Sequence, residues 1–129
     1  MIQFEHTAYN VHEPEKAAAW YVAHMDMDLV RGTSEGIKPH FIADKQRRFC
    51  WEFYSNPAGP VADQRAINPF TQHVAFAVDD MDAVRAKLLS AGCSPEGEVS
   101  ITPAGDRLLF LRDPWGLTLQ LVMRAVKLY

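Results

Sequence analysis

His6-Thr-Ala-Tyr-Asn-Val11 and His73-Val-Ala-Phe-Ala-Val78 share one pattern, histidine, any residue, alanine, aromatic, any residue, valine. The two histidines are 73 − 6 = 67 residues apart. A second pair of segments repeats at nearly the same offset. Phe49-Cys-Trp-Glu52-Phe-Tyr54 and Leu117-Thr-Leu-Gln120-Leu-Val122 are both strand-like, each with one polar residue at its centre, and 120 − 52 = 68. Two unrelated motifs at one offset are far harder to obtain by chance than either alone. The chain therefore reads as a duplicated module, and two copies suit a pseudo-two-fold domain better than a repeat array.

Working outward from these segments, alternation and helical periodicity predict the same order of elements in each half. The first half reads as a strand over about 2–11, a helix over 14–24 and strands over 27–34, 37–43 and 47–54. The second reads as a strand over about 71–78, a helix over 80–91 and strands over 96–102, 106–112 and 117–123. Between them, Pro57, Gly59, Pro60 and Pro69 mark a loop. The expectation is an α+β fold: one domain over 1–129, with module 1 at about 1–55, a linker at 56–70 and module 2 at about 71–129. Each module is βαβββ.

Local chemistry supports both helices. Pro14 suits a first helical turn, where its missing N–H costs nothing. Ala17, Trp20, Tyr21 and His24 recur at helical spacing. Asp79 or Asp80 can cap the second helix, whose buried stripe is expected at Val84, Leu88 and Ala91. Gly92 stands where a helix often ends. Asp113-Pro-Trp-Gly116 reads as a turn between the last two strands.

Strand side chains alternate between faces. His6, Ala8 and Asn10 share one face, and Thr7, Tyr9 and Val11 the other. His73, Ala75 and Ala77 likewise face away from Val74, Phe76 and Val78. Each histidine thus lies among small neighbours, as the wall of a cavity would require, while the bulky face suits a helix. Cys50, Glu52 and Tyr54 align opposite Trp51 and Phe53; Thr118, Gln120 and Val122 align opposite Leu117, Leu119 and Leu121. A carboxylate in so apolar a strand as that of Glu52 is costly to bury unpaired. A metal, an arginine or water must compensate it. Taken singly, His6, Glu52, His73 and Gln120 could each be an ordinary surface or packing residue. As four positions related by one repeat, they read as a shared site. His12, His24 and His40 have no such relation and read as surface or packing residues.

Composition narrows the classes. A net charge of −3 without a basic block excludes a nucleic-acid footprint and an anionic-membrane patch. No apolar run is long enough to span a bilayer, so no membrane partner is expected. The start, MIQFEHTAYN, lacks the charged and apolar regions of a secretory leader. Cys50 and Cys93 are in no metal-type spacing and are expected to be reduced. The expected location is the cytoplasm.

His6 in FEHTAYNV, Glu52 in FCWEFY, His73 in HVAFAVDDMDAVRAKLLSAG and the closing FLRDPWGLTLQL together resemble the vicinal oxygen chelate superfamily. That superfamily holds glyoxalases, bleomycin-resistance proteins and extradiol dioxygenases, and the resemblance covers nearly the whole chain. It implies a glyoxalase-like fold in which two βαβββ modules form an open mixed-sheet barrel with a metal between them. It places the ligands at His6, Glu52, His73 and Gln120. The last position is usually a glutamate, and glutamine can lend a carbonyl oxygen to a metal but cannot act as a base. Two imidazoles, one carboxylate and one amide suit a divalent Zn, Ni, Co, Fe or Mn ion.

The function implied first is a metal-dependent lyase or isomerase of the glyoxalase type. Its substrate is a small molecule with two adjacent oxygens, its reaction passes through an enediolate, and Glu52 is its catalytic base. The alternative is a metal-free small-molecule binding or resistance protein. An extradiol-type dioxygenase is a third reading, disfavoured because Glu52 would have to replace the usual glutamate of the last strand. A homodimer is expected from the resemblance alone. Arg31, Arg47, Arg48, Arg65 and Arg107 are candidates for meeting an anionic group, though most read as solvated charges.

Overall fold

The structure is a computed structural model describing all 129 residues. It divides into two compact units, Met1–Ala62 and Asp63–Tyr129. The first contains β1 (His6–Asn10), α1 (Pro14–His24), β2 (Asp28–Gly32), β3 (His40–Ala43) and β4 (Cys50–Tyr54). The second contains a short 3-10 turn (Gln64–Ala66), β5 (Val74–Ala77), α2 (Met81–Ser90), β6 (Ser94–Pro95), β7 (Ser100–Ile101), β8 (Arg107–Arg112) and β9 (Thr118–Met123). This is the expected α+β architecture with one mixed sheet per module. No helix is long and apolar enough to cross a membrane.

The first sheet runs in the order β1-β4-β3-β2 and the second β5-β9-β8-β6, with β7 paired to β8. The first and last strands of each module pair in parallel, β1 with β4 and β5 with β9. The registers carry the repeat into three dimensions. Ala8 is paired with Glu52, and Ala75 with Gln120. A parallel pair needs a crossover, and α1 and α2 lie within those crossovers.

The face assignments hold. In the first unit Tyr9, Trp51 and Phe53 meet the helix side chain Tyr21: Trp51 lies 5.4 Å from Tyr9 and 4.8 Å from Tyr21, and Phe53 stacks on Tyr21 at 5.6 Å. In the second unit Leu119 and Leu121 are fully buried beneath α2, with Leu88 of that helix also buried. Burying one such side chain contributes about 1.5–3 kcal/mol, so these aromatic and leucine layers hold the sheets to their helices. Pro14 opens α1. Asp80 caps α2, its carboxylate accepting from the Ala83 N–H at 3.0 Å. Gly92 follows at φ +108, which explains glycine there.

Three local expectations are corrected. In place of one strand over 96–102 there are two short ones, β6 ahead of that segment at Ser94–Pro95 and β7 within it at Ser100–Ile101, with Gly97 at φ +120 between them. The strand expected over 2–11 is confined to His6–Asn10. His73 lies just ahead of β5. Asn68 shortens that strand: its carboxamide oxygen accepts from the Phe70 N–H at 2.8 Å, and its carbonyl from the Thr71 N–H at 2.9 Å. That turn consumes the backbone groups a longer strand would need.

The linker is anchored at both ends, each to its own unit. Asn10 donates to the carbonyls of Asn56 and Gly59, both at 2.9 Å, and accepts from the Asn56 N–H at 2.7 Å. Arg112 donates to the carbonyls of Gln64 at 2.9 Å and Ile67 at 3.0 Å.

Candidate functional site

β1 and β4 run side by side, so His6 and Glu52 occupy neighbouring strands. Glu52 is one alternation step beyond the level of His6, and the residue paired with it is Ala8. A methyl group there leaves room for the imidazole to lean along the sheet. Nε2 of His6 lies 3.7 Å from Oε1 of Glu52. The other ring nitrogen, Nδ1, is hydrogen-bonded to the carboxylate of Glu5. That carboxylate only accepts, so Nδ1 carries a proton, and in the neutral ring it is Nε2 that is left as a lone pair on the side of Glu52. The Glu5 hydrogen bond also raises the pKa of His6; desolvation opposes it, and the charges of Glu5 and Glu52 add to the rise.

The second unit repeats the device with a different acceptor. Nδ1 of His73 donates to the carbonyl of Pro69 at 2.8 Å. A carbonyl cannot donate, so His73 too presents Nε2 as a lone pair. Gln120 lies on β9 opposite Ala75 on one side and Phe110 on the other. Glu52 and Gln120 are each only 8% exposed, which excludes the reading of both as polar residues on a wet sheet face.

Each histidine rests edge-on against a phenylalanine, which sequence reading missed. His6 and Phe41 have ring centres 5.9 Å apart at 83°, and Phe41 is paired with Glu52 across β3 and β4. His73 and Phe110 are 5.1 Å apart at 65°, and Phe110 is paired with Gln120 across β8 and β9. The two phenylalanines are 110 − 41 = 69 residues apart. A third member of the echo was thus present in the sequence, hidden because a phenylalanine in an apolar strand looks like core.

The structure brings together His6 with Glu52 in one unit, and places His73 and Gln120 around Phe110 in the other. The chain shows no group of three or more His, Cys, Asp or Glu side chains that could hold a metal ion. The donor chemistry of the His6–Glu52 pair does fit one. Two donors about 2 Å from a shared tetrahedral ion lie about 3.3 Å apart, so 3.7 Å needs only a small adjustment. The carboxylate behind His6 is the kind of outer partner that orients a ligating imidazole.

Of the arginines read as candidates for an anionic group, Arg47 pairs with Asp28 at 3.1 Å and Arg65 donates to the Pro114 carbonyl at 3.2 Å. The cation that organises the second unit is Arg112. It is 6% exposed and bridges Glu96 at 2.9 Å, the Gly116 carbonyl at 3.0 Å and the linker carbonyls. It holds the loop leading towards His73. Cys50 is half-buried beside Glu52, whereas Cys93 is buried and its thiol is pushed up to about 12 by burial and then by Asp113.

Solved structures share this fold. An antibiotic-binding protein of Streptomyces sp. CB03234, TnmS3, is 21% identical with a TM-score of 0.71, over 97% of this chain and 98% of that one. A glyoxalase family protein from Bacillus cereus is 16% identical with a TM-score of 0.73, over 95% and 93%. A glyoxalase I variant from Zea mays is 23% identical with a TM-score of 0.74, over 96% of this chain and 46% of that longer one. No curated protein sequence matches the chain. Residues 3–121, which include both histidines, Glu52 and Gln120, match one family along nearly their whole span, and the chain belongs to the Glyoxalase/Bleomycin resistance protein/Dioxygenase superfamily.

Proposed function

We propose that this domain is a metal-dependent lyase or isomerase acting on a small molecule with two adjacent oxygens. The observation that carries the reading is the matched state of the two histidines. Each donates its Nδ1–H to an oxygen, that of Glu5 for His6 and the Pro69 carbonyl for His73, which in the neutral ring leaves Nε2 as a lone pair. His6, Glu52, His73 and Gln120 are the proposed ligands of one divalent ion, Zn, Ni, Co, Fe or Mn. When bound, the ion supplies Lewis-acid polarisation of the substrate oxygens.

The remaining roles belong to the chain. Glu52 is the only carboxylate of the four, so it takes the proton from the carbon next to the substrate carbonyl. Glu5 and the Pro69 carbonyl fix the two imidazoles. Phe41 and Phe110 back the rings and keep water from one side of them. Gln120 contributes a neutral amide oxygen and no base. The domain is proposed to work as a cytoplasmic homodimer.

A second reading, a metal-free small-molecule binder, is favoured by one observation, the largely exposed ring of Phe70 against Phe110. Metal analysis separates the two. Protein incubated with Zn²⁺, Ni²⁺, Mn²⁺ or Fe²⁺ and desalted is expected to hold close to one ion per chain, and His73→Ala to lose most of it. Wild-type protein that retains none of the four metals would sink the enzyme reading in favour of the binder.

A further inference from the structure

The second unit carries an aromatic feature that the histidine–phenylalanine echo does not account for. Phe70 is 85% exposed. Its ring meets Phe110 at 5.5 Å and 89°, while His73 meets the same Phe110 at 5.1 Å and 65°. Two rings are therefore gathered around one half-buried phenyl. Phe70 does not stand out through slack in the backbone. The Asn68 carboxamide accepts its N–H at 2.8 Å, and the turn closes at Thr71. The same short segment supplies the Pro69 carbonyl that fixes His73. One turn thus sets both an exposed phenyl and a ligand-type imidazole.

Polar groups lie on the same side of the sheet. Phe110 is paired with Gln120. Thr118, two residues before Gln120 and so on the same face, is 2% exposed, and its hydroxyl has no hydrogen-bond partner. Edge-to-face and offset-stacked rings are the arrangements aromatic pairs prefer, and a displayed edge-on cluster receives a further flat ring readily.

We propose that Phe70, with Phe110 and His73, forms a subsite for a planar aromatic ring, and that the substrate class is an aryl compound whose polar oxygens lie towards Gln120. The placement of the oxygens rests on the reading above; the aromatic subsite does not. The first unit has the His6–Phe41 pair alone at the equivalent place, since Gln3 stands 67 residues before Phe70. The aromatic end of the ligand therefore belongs to the second unit.

Two α-hydroxy ketones with identical oxygens test this: 2-hydroxyacetophenone, which carries a phenyl, and hydroxyacetone, which carries a methyl. Calorimetric titrations would be run on wild type, Phe70→Ala and Phe70→Tyr, each with and without added Zn²⁺, after checking that all three melt alike. Wild type is expected to bind the phenyl compound tighter by about tenfold or more, the scale of one stacked ring. Phe70→Ala should bring the ratio of the two affinities close to one, and Phe70→Tyr should restore it. Equal affinities in wild type, binding of neither compound, or an unchanged ratio in Phe70→Ala would overturn the proposal. A wild type that keeps the phenyl preference but takes up no Zn²⁺ would instead refute the metal-dependent reading and leave the subsite standing.

Discussion

In the first unit Nε2 of His6 lies 3.7 Å from Oε1 of Glu52, on parallel neighbouring strands. An Nε2 lone pair does not compensate the carboxylate of Glu52; a proton on His6, which the Glu5 hydrogen bond and the charges of Glu5 and Glu52 favour, or a bound cation does. Glu52 is neither solvated nor set against a permanent cation; its nearest charged-type partner is an imidazole that Glu5 has already oriented. An arrangement of lone pair facing carboxylate, nearly buried on one side, is stabilised by whatever cation enters it. The second unit has no carboxylate at the matching place, because Gln120 occupies it. The two units thus differ by one negative charge at matching positions, and this difference shapes the last prediction below.

Arg112 is expected to hold the second unit together. It is buried and spreads its five donors over Glu96 and the carbonyls of Gln64, Ile67 and Gly116. Arg112→Met would leave those acceptors without partners, costing about 3 kcal/mol or more. Arg112→Lys should recover only part of the loss, because an ammonium cannot reproduce the planar fork. Urea unfolding of the three proteins measures this. A loss below about 1 kcal/mol in the Met variant would show that the carbonyls find other donors.

Much of this was legible in the sequence, and the reasons differ by element. The 67-residue echo and strand alternation were enough to put Glu52 on a face with Cys50 and Tyr54 and Gln120 on a face with Thr118 and Val122, because side-chain period is a local property, whereas their register against Ala8 and Ala75 is not. Asp80, Gly92 and Pro14 were legible because caps and first turns depend on one residue's own chemistry. Arg112 was not. Its acceptors Gln64 and Ile67 lie in a loop far upstream, and an arginine ending an apolar strand reads as solvated until those carbonyls are seen. The exit of His73 from β5 was missed for a similar reason. Alternation continues through His73, but the Asn68 turn takes the N–H groups just upstream, and the strand begins only at Val74.

The two thiols should differ sharply in reactivity. Cys93 is 7% exposed and its thiol is pushed up to about 12, so almost none is thiolate at pH 8. Cys50 is half-buried on β4. Folded protein treated with a disulfide reagent at pH 8 is expected to react quickly at one thiol per chain. Cys50→Ser should abolish that fast phase, leaving Cys93 to react only on unfolding. Two fast thiols in the native protein would contradict the burial of Cys93.

Acid should weaken the fold through three paired carboxylates. The Arg112 hydrogen bond holds Glu96 below its usual range, the Ala125 N–H and Arg124 do so for Asp106, and Lys45 and Arg47 for Asp28. Each folded-state pKa lies below its unfolded value. The stabilisation is therefore complete above the unfolded carboxyl range, about 4, and is lost as pH falls through the lower folded values. The urea midpoint is expected to be flat from pH 7 to about 5 and to fall below about 4. Glu96→Gln combined with Asp106→Asn should be less stable at pH 7 and show a shallower acid decline. An equally steep decline in that variant would assign the acid sensitivity to other groups.

Gln120 sets the last prediction. An amide in place of a carboxylate removes one negative charge from the proposed ligand set. A bound ion then retains more positive charge and polarises substrate oxygens more strongly, at the cost of weaker metal binding. Glu52 is left as the sole base, so proton transfer is confined to one side of the substrate. Turnover of the hemithioacetal of methylglyoxal and glutathione is therefore expected to be weak or absent in the wild type. Gln120→Glu should bind Zn²⁺ tighter, by about tenfold or more, and should raise that turnover. The same substitution places a second carboxylate in a nearly buried position. The metal-free variant should therefore melt below the wild type and gain more from added Zn²⁺. Melting curves and metal titrations on both proteins, with and without Zn²⁺, read all three effects. Equal Zn²⁺ affinity in the two proteins would show that residue 120 does not reach the ion, and strong wild-type glyoxalase turnover would show that a carboxylate at this position is dispensable.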